Sequence, residues 1–118
     1  MCPLKYSIFA FIVPGAFALF VGNVTVAAPI LAIGATSIAK YWFDSCHVAD
    51  LVTVFVGTTA VFAMNPVIVV PYACVAWNIV VFVMRSRRCC VWHATIHLST
   101  GIGVTAWILN AMLVTGAV

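Results

Sequence analysis

Three long stretches without a formal charge constrain this chain more than any other feature. Lys5 is followed by no Asp, Glu, Lys or Arg until Lys40, Asp50 by none until Arg85, and Arg88 by none to Val118. A run of about 18 apolar, uncharged residues already reads as a membrane-spanning helix. A charge at the bilayer centre is costly, and the helical backbone satisfies its own polar groups there. Every gap exceeds that length. Composition agrees, because 66% of the residues are hydrophobic and only 6% charged. A soluble domain carries about 25% charged residues. Five Lys plus Arg and two Asp plus Glu are too few ions to cover a water-exposed surface.

The apolar segments are residues 6–39, 51–84 and 91–118, and they read as one integral membrane domain over 1–118. The first two are each about 34 residues, or roughly 51 Å as a single helix, against a hydrocarbon core of about 30 Å. Each is interrupted near its middle, by Gly22-Asn23 and by Asn65-Pro66. Both dipeptides favour turns, and proline removes a backbone donor. Two arms of about 16 residues joined by a tight turn fit each segment. Charge distribution favours this reading. In a hairpin arrangement Lys5, Lys40, Arg85, Arg87 and Arg88 all face one side, and the opposite turns carry no charge, as the positive-inside rule asks. The expected fold is an all-α, polytopic transmembrane protein with two hydrophobic hairpins plus a C-terminal helix, three to five membrane segments in all. Hydrophobicity runs on past the point where a signal peptide would be cleaved, so none is expected. Tyr41, Trp42 and Trp92 are expected at the interfaces, and Trp77 and Trp107 deeper, in packing roles.

Polar residues are few enough to take one at a time. His93 and His97 stand at i and i+4, on one face of the last helix, where both imidazoles can reach one ion. The segment Asp44, Ser45, His47 and Asp50 lies on the same side in the hairpin arrangement. The candidate metal set is therefore His47, His93, His97 and Asp50, a donor set that suits zinc with a water completing the shell. Histidines on different helices also suit axial haem ligation. Alongside these stands the plainer reading of interfacial polar residues without a ligand. Arg85-Ser86-Arg87-Arg88 reads as an anchor to anionic headgroups, with Cys89 and Cys90 as acylation candidates. Asn23-Val24-Thr25 matches a glycosylation sequon in a very short turn, and Asn78 and Asn110 read as interhelical hydrogen-bond donors. No residue is assigned a catalytic role. The chain has no phosphate-binding glycine loop and no nucleophile elbow. Its net charge of +3 sits at segment ends and forms no face for nucleic acid.

The stretch from His93 to Gly103, with HxxxH followed by Gly101-Ile102-Gly103, resembles the last membrane helix of alkaline ceramidases. The resemblance covers about 11 of 118 residues. It implies zinc binding by His93 and His97, with His47, Ser45 and Asp50 as the available counterparts of the family's other site residues. That family has seven helices, more than this chain supplies. In size and type the chain is also similar to the small haem-bearing anchor subunits of succinate dehydrogenase.

The function expected is that of a small non-catalytic membrane subunit supporting assembly and helix and lipid packing in a larger complex. A respiratory complex of the mitochondrial inner membrane is the expected setting, with membrane lipids and membrane protein subunits as partners and no nucleic acid. The alternatives are a zinc-dependent lipid amide or ester hydrolase, a haem-binding anchor, and a membrane-shaping hairpin protein similar to reticulons.

Overall fold

The computed structural model describes residues 4–45, 47–84 and 90–115, and those residues form helices and short connections without a strand. The elements are α1 (Leu4–Ser7), α2 (Phe9–Phe20), α3 (Val24–Phe43), α4 (His47–Met64), α5 (Val69–Val83) and α6 (Cys90–Thr115). The chain is an all-α polytopic membrane protein. Within α3, α4 and α6, residues Val24–Phe43, His47–Met64 and Trp92–Val114 are each long and apolar enough to cross a bilayer, whereas α2 and α5 are shorter apolar helices. Arg85, Arg87, Arg88, Cys2, Cys46 and Cys89 lie outside the described residues.

Both expected breaks are present. Gly22 adopts a left-handed backbone, φ 82°, which glycine reaches without steric cost. The Asn23 amide then donates to Ala18 O at 2.8 Å and the Gly22 amide to Leu19 O at 3.1 Å. This crossed pair is the usual way a helix ends on a left-handed glycine. The second break falls at Asn65-Pro66, where proline disfavours helical backbone in the residue before it.

The arms are less equal than the sequence suggests. The α2 and α3 helices have 12 and 20 residues, and α4 and α5 have 18 and 15. Helix α3 runs past Ala39 to Phe43, and α4 begins at His47, ahead of Leu51. The charges expected to end the apolar segments are instead kept inside helices by each other. Lys40 Nζ lies 3.7 Å from Asp50 Oδ2, so the two need not leave the helices to reach water.

Helix α3 packs between α2 and α4, and α6 packs between α2 and α5. Phe11, Val26, Ile30, Val104, Trp107 and Ile108 form the centre of the core. The outer helices are thinly covered: α4 buries only Asp50, Gly57 and Val61, and α5 only Pro71 and Val81.

Two prolines inside helices explain two of the tightest interhelical features. Proline at position i leaves the carbonyl at i−4 without its helical donor. Pro29 thus orphans Thr25 O, and the Asn65 side-chain amide donates to that oxygen at 3.2 Å. Pro14 orphans Ala10 O, and Gly101 of α6 lies directly against it. A β-carbon at Gly101 would overlap that carbonyl, so only glycine lets α6 approach close enough for a Cα–H to reach the orphaned oxygen. Membrane helices tolerate proline when neighbouring helices make such repairs.

The same contacts bring both uncharged turns to one end of the bundle, as expected. The Thr25 hydroxyl donates to Asn65 Oδ1 and to Asn23 Oδ1, each at 3.1 Å. Both sequon side chains are therefore engaged within the turn. Trp107 Nε1 donates to Pro66 O at 3.0 Å, which ties α6 to the same end. Lys40, Asp50 and His93 occupy the other end.

Candidate functional site

A layer of polar side chains crosses the bundle at the Lys40 end. It begins at α4 with Asp50, 5% exposed. Asp50 Oδ1 accepts hydrogen bonds from Thr36 and Ser37, each at 3.0 Å, while Oδ2 faces Lys40. Lys40 Nζ also stands 5.0 Å from the centroid of the Tyr41 ring. The layer continues from α3 to α6, where Tyr41 OH and His93 Nε2 are 3.1 Å apart. The His93 and His97 rings lie 5.1 Å apart, centroid to centroid. It ends at α1, where Ser7 Oγ lies 2.7 Å from His97 Nδ1. His97 is 6% exposed and is closed over by the edges of Phe11 and Tyr41.

Local sequence explains the assembly. Thr36 and Lys40, and Ser37 and Tyr41, are each four apart on α3, so each pair shares a helical face. His93 and His97 have the same spacing on α6. The α1 turn lies against α6, which carries Ser7 to His97. In an apolar medium a polar side chain without a partner costs several kcal/mol (about 4–8 in an alkane-like reference). These groups therefore pair with one another across helices.

The four candidate ligands do not come together as one shell. His93 and His97 are adjacent. Asp50 is occupied by two hydroxyls and the Lys40 ammonium. His47 lies at the exposed start of α4, where its Nε2 is 3.0 Å from Asp44 Oδ1. Among the described residues, no group of three or more His, Cys, Asp or Glu side chains is placed to hold a metal ion. Two neighbouring imidazoles remain as a nitrogen pair. Each has one ring nitrogen beside an oxygen of another helix, the arrangement that fixes imidazole orientation.

Ser7, Thr36, Ser37 and Tyr41 belong to this layer, a place that sequence did not assign to them. The four-residue spacing of hydroxyls with Lys40 and Tyr41 was the available signal for three of them. Ser7 had none, because its partner is 90 residues away. One expectation about aromatic residues changes, and Tyr41 takes its place beside His93 in the polar layer. Trp77, expected in packing, is 41% exposed, with its ring 6.0 Å from Trp92 and its Nε1 donating to Thr95 at 3.1 Å. Trp107 is 4% exposed and packs in the core, and Trp42 and Trp92 are exposed. Asn78 donates to Thr100 at 3.2 Å across the α5–α6 contact.

No family model, no curated protein and no solved structure matches this chain.

Proposed function

We propose that this chain is a small non-catalytic subunit that supports assembly and helix and lipid packing in a larger membrane complex. One observation carries the reading: the outer helices offer broad apolar faces that this chain does not cover. Leu51, Val52, Phe55 and Val56 on α4, and Ile79, Val80 and Val83 on α5, are all at least half exposed. Interior polar groups are largely spent on interhelical bonds, which gives a scaffold with apolar sides. In a bilayer such sides meet lipid or the helices of neighbouring subunits, where van der Waals packing drives association. The setting we propose is a respiratory assembly of the mitochondrial inner membrane, supported only by the chain's size and apolar character. Extraction of native membranes in a mild detergent, followed by native electrophoresis and cross-linking from α4 and α5, tests the assignment. The chain is expected to migrate with partner subunits. Migration as a lone chain in its micelle would overturn it.

The competing reading is a zinc-dependent lipid hydrolase, and the His93–His97 pair is what favours it. It requires ligands beyond the two imidazoles. Element-resolved mass spectrometry of the gently purified chain separates the readings. Stoichiometric zinc that is lost in His93→Ala and His97→Ala favours the hydrolase. Iron with the same dependence favours a haem anchor.

A further inference from the structure

The turn end of the bundle stops short of the far side of a bilayer. Asp44, just past α3, has a 95% exposed side chain. The Lys40 side chain, about one helical turn deeper, is 29% exposed. A hydrocarbon core of about 30 Å is flanked on each side by a headgroup region of about 5–7 Å. One helical turn is about 5.4 Å, so with Asp44 among the headgroups Lys40 marks the edge of the hydrocarbon. Lys40 lies 15 residues from Thr25 along α3, and Asp50 lies 15 residues from Asn65 at the end of α4. Both distances come to about 22 Å as helix, and tilt only reduces the depth they reach. The two turns that Thr25 and Asn65 tie together are therefore about 8 Å from the far edge of the hydrocarbon. Helix α6 differs. From His93, in the same polar layer, it runs 22 residues to Thr115, or about 33 Å.

The surface of the turn end suits that depth. Phe20, Val67 and Val69 are 86%, 81% and 82% exposed, and Val24 and Met64 are more than half exposed. No Asp, Glu, Lys or Arg stands near either turn in sequence. The polar side chains of the turns face one another and the main chain. Asn65 Nδ2 donates to Thr25 O and to Val61 O, and the Thr25 hydroxyl meets Asn65 Oδ1 and Asn23 Oδ1. Trp107 reaches across from α6 to Pro66 O. A turn in water takes such partners from the solvent. A turn in hydrocarbon has only the protein to supply them. Acyl chains surround the end of the arms at this depth and ask for no hydrogen bonds, so they fit a surface of Phe, Met and Val side chains.

We propose that both hairpins enter the membrane from the Lys40 side and turn inside the hydrocarbon of the far leaflet, where lipid acyl chains cover Phe20, Val24, Met64, Val67 and Val69. The proposal rests on the membrane reading of the chain and goes beyond it by naming this surface, its depth and what covers it.

The test places one fluorescent amino acid at a time, by codon suppression, in the full chain in dioleoylphosphatidylcholine vesicles. The positions are Val67 and Phe20 on the two turns, Val48 beside His47, and Leu98 on the outside of α6; Val48 is 76% exposed and Leu98 52%. Quenching is read with iodide present on both sides of the membrane and with lipids carrying a nitroxide on the acyl chain. The probes at Val67 and Phe20 are expected to be quenched by the acyl nitroxide. Their quenching by iodide should be at least about fivefold weaker than at Val48, because hydrocarbon excludes a small ion. The two turns carry separate probes, so a variant that fails to fold at one leaves the other to decide. Iodide quenching at the turns equal to that at Val48 puts them at the headgroups and overturns the proposal. Protection from both quenchers shows that protein covers the turns and overturns it as well. Acyl-chain quenching at Leu98 leaves the membrane reading intact in either case. Its absence at Leu98 and at both turns overturns the membrane reading together with the proposal.

Discussion

The two ends of this bundle use polar residues for different tasks. At the turn end, Asn65 and Trp107 donate to Thr25 O and Pro66 O. Two of the acceptors there are backbone carbonyls, one of them orphaned by Pro29. At the Lys40 end the partners are side chains: Asp50 with Thr36, Ser37 and Lys40, Tyr41 with His93, and Ser7 with His97. The first end repairs the main chain, and its residues have no chemistry beyond hydrogen bonding. The second gathers a carboxylate, an amine, a phenol and two imidazoles. The contrast shows that polar residues in an apolar chain need not mark a site. What their partners are, backbone or one another, separates repair from a layer that can carry further chemistry.

Substitutions can break or sharpen the comparison, and thermal or denaturant unfolding in a fixed detergent reads them on one scale. The largest effect is expected at neither end but between them. Gly101→Leu drives a side chain into the Ala10 carbonyl and should cost at least about 3 kcal/mol, the upper range for overpacking. At the Lys40 end, Asp50→Ala strands Lys40 and two hydroxyls and should cost about 2–3 kcal/mol. That is below the full penalty for breaking a buried pair, because Lys40 is partly exposed. Asp50→Asn, which keeps an acceptor for Thr36 and Ser37, should recover part of the loss. At the turn end, Asn65→Ala should cost about 1–2 kcal/mol. The proline account predicts that this loss shrinks when Pro29→Ala restores the helical donor to Thr25 O. Additive losses would sink that explanation. Ser7→Ala and His97→Ala should each cost about 1 kcal/mol or less through their shared bond, and a double-mutant cycle should show them coupled. The exposed pair is the smallest case: His47→Ala should lie within about 0.5 kcal/mol of the unmodified chain.

Much of the architecture was legible in the sequence because the bilayer leaves few options. Charge gaps fix apolar helices, Gly22-Asn23 and Asn65-Pro66 fix the breaks, and the clustering of Lys40, Asp50 and His93 away from both turns follows from keeping charge to one side. Helix ends were less legible. Lys40 and Asp50 look like boundary residues only until each is seen to have the other as a partner. The candidate site was legible in part. His93 and His97 are neighbours by helical geometry alone, within one turn. His47 and Asp50, three apart on α4, take different partners: His47 faces Asp44 in the connection, and Asp50 turns inward to α3.

Sequence by itself determined that these segments are helices, where they break, and which carbonyls lose their donors, since Pro14 and Pro29 orphan Ala10 O and Thr25 O whatever the rest of the chain does. These are consequences of local covalent geometry and of a solvent that cannot hydrogen-bond. Only the tertiary structure decided what meets those carbonyls, that Gly101 lies against one and Asn65 reaches the other, and that Ser7 finds His97. Such pairings join residues 40 to 91 positions apart. They depend on which helix faces become neighbours, and that is a property of the packed bundle rather than of any one helix.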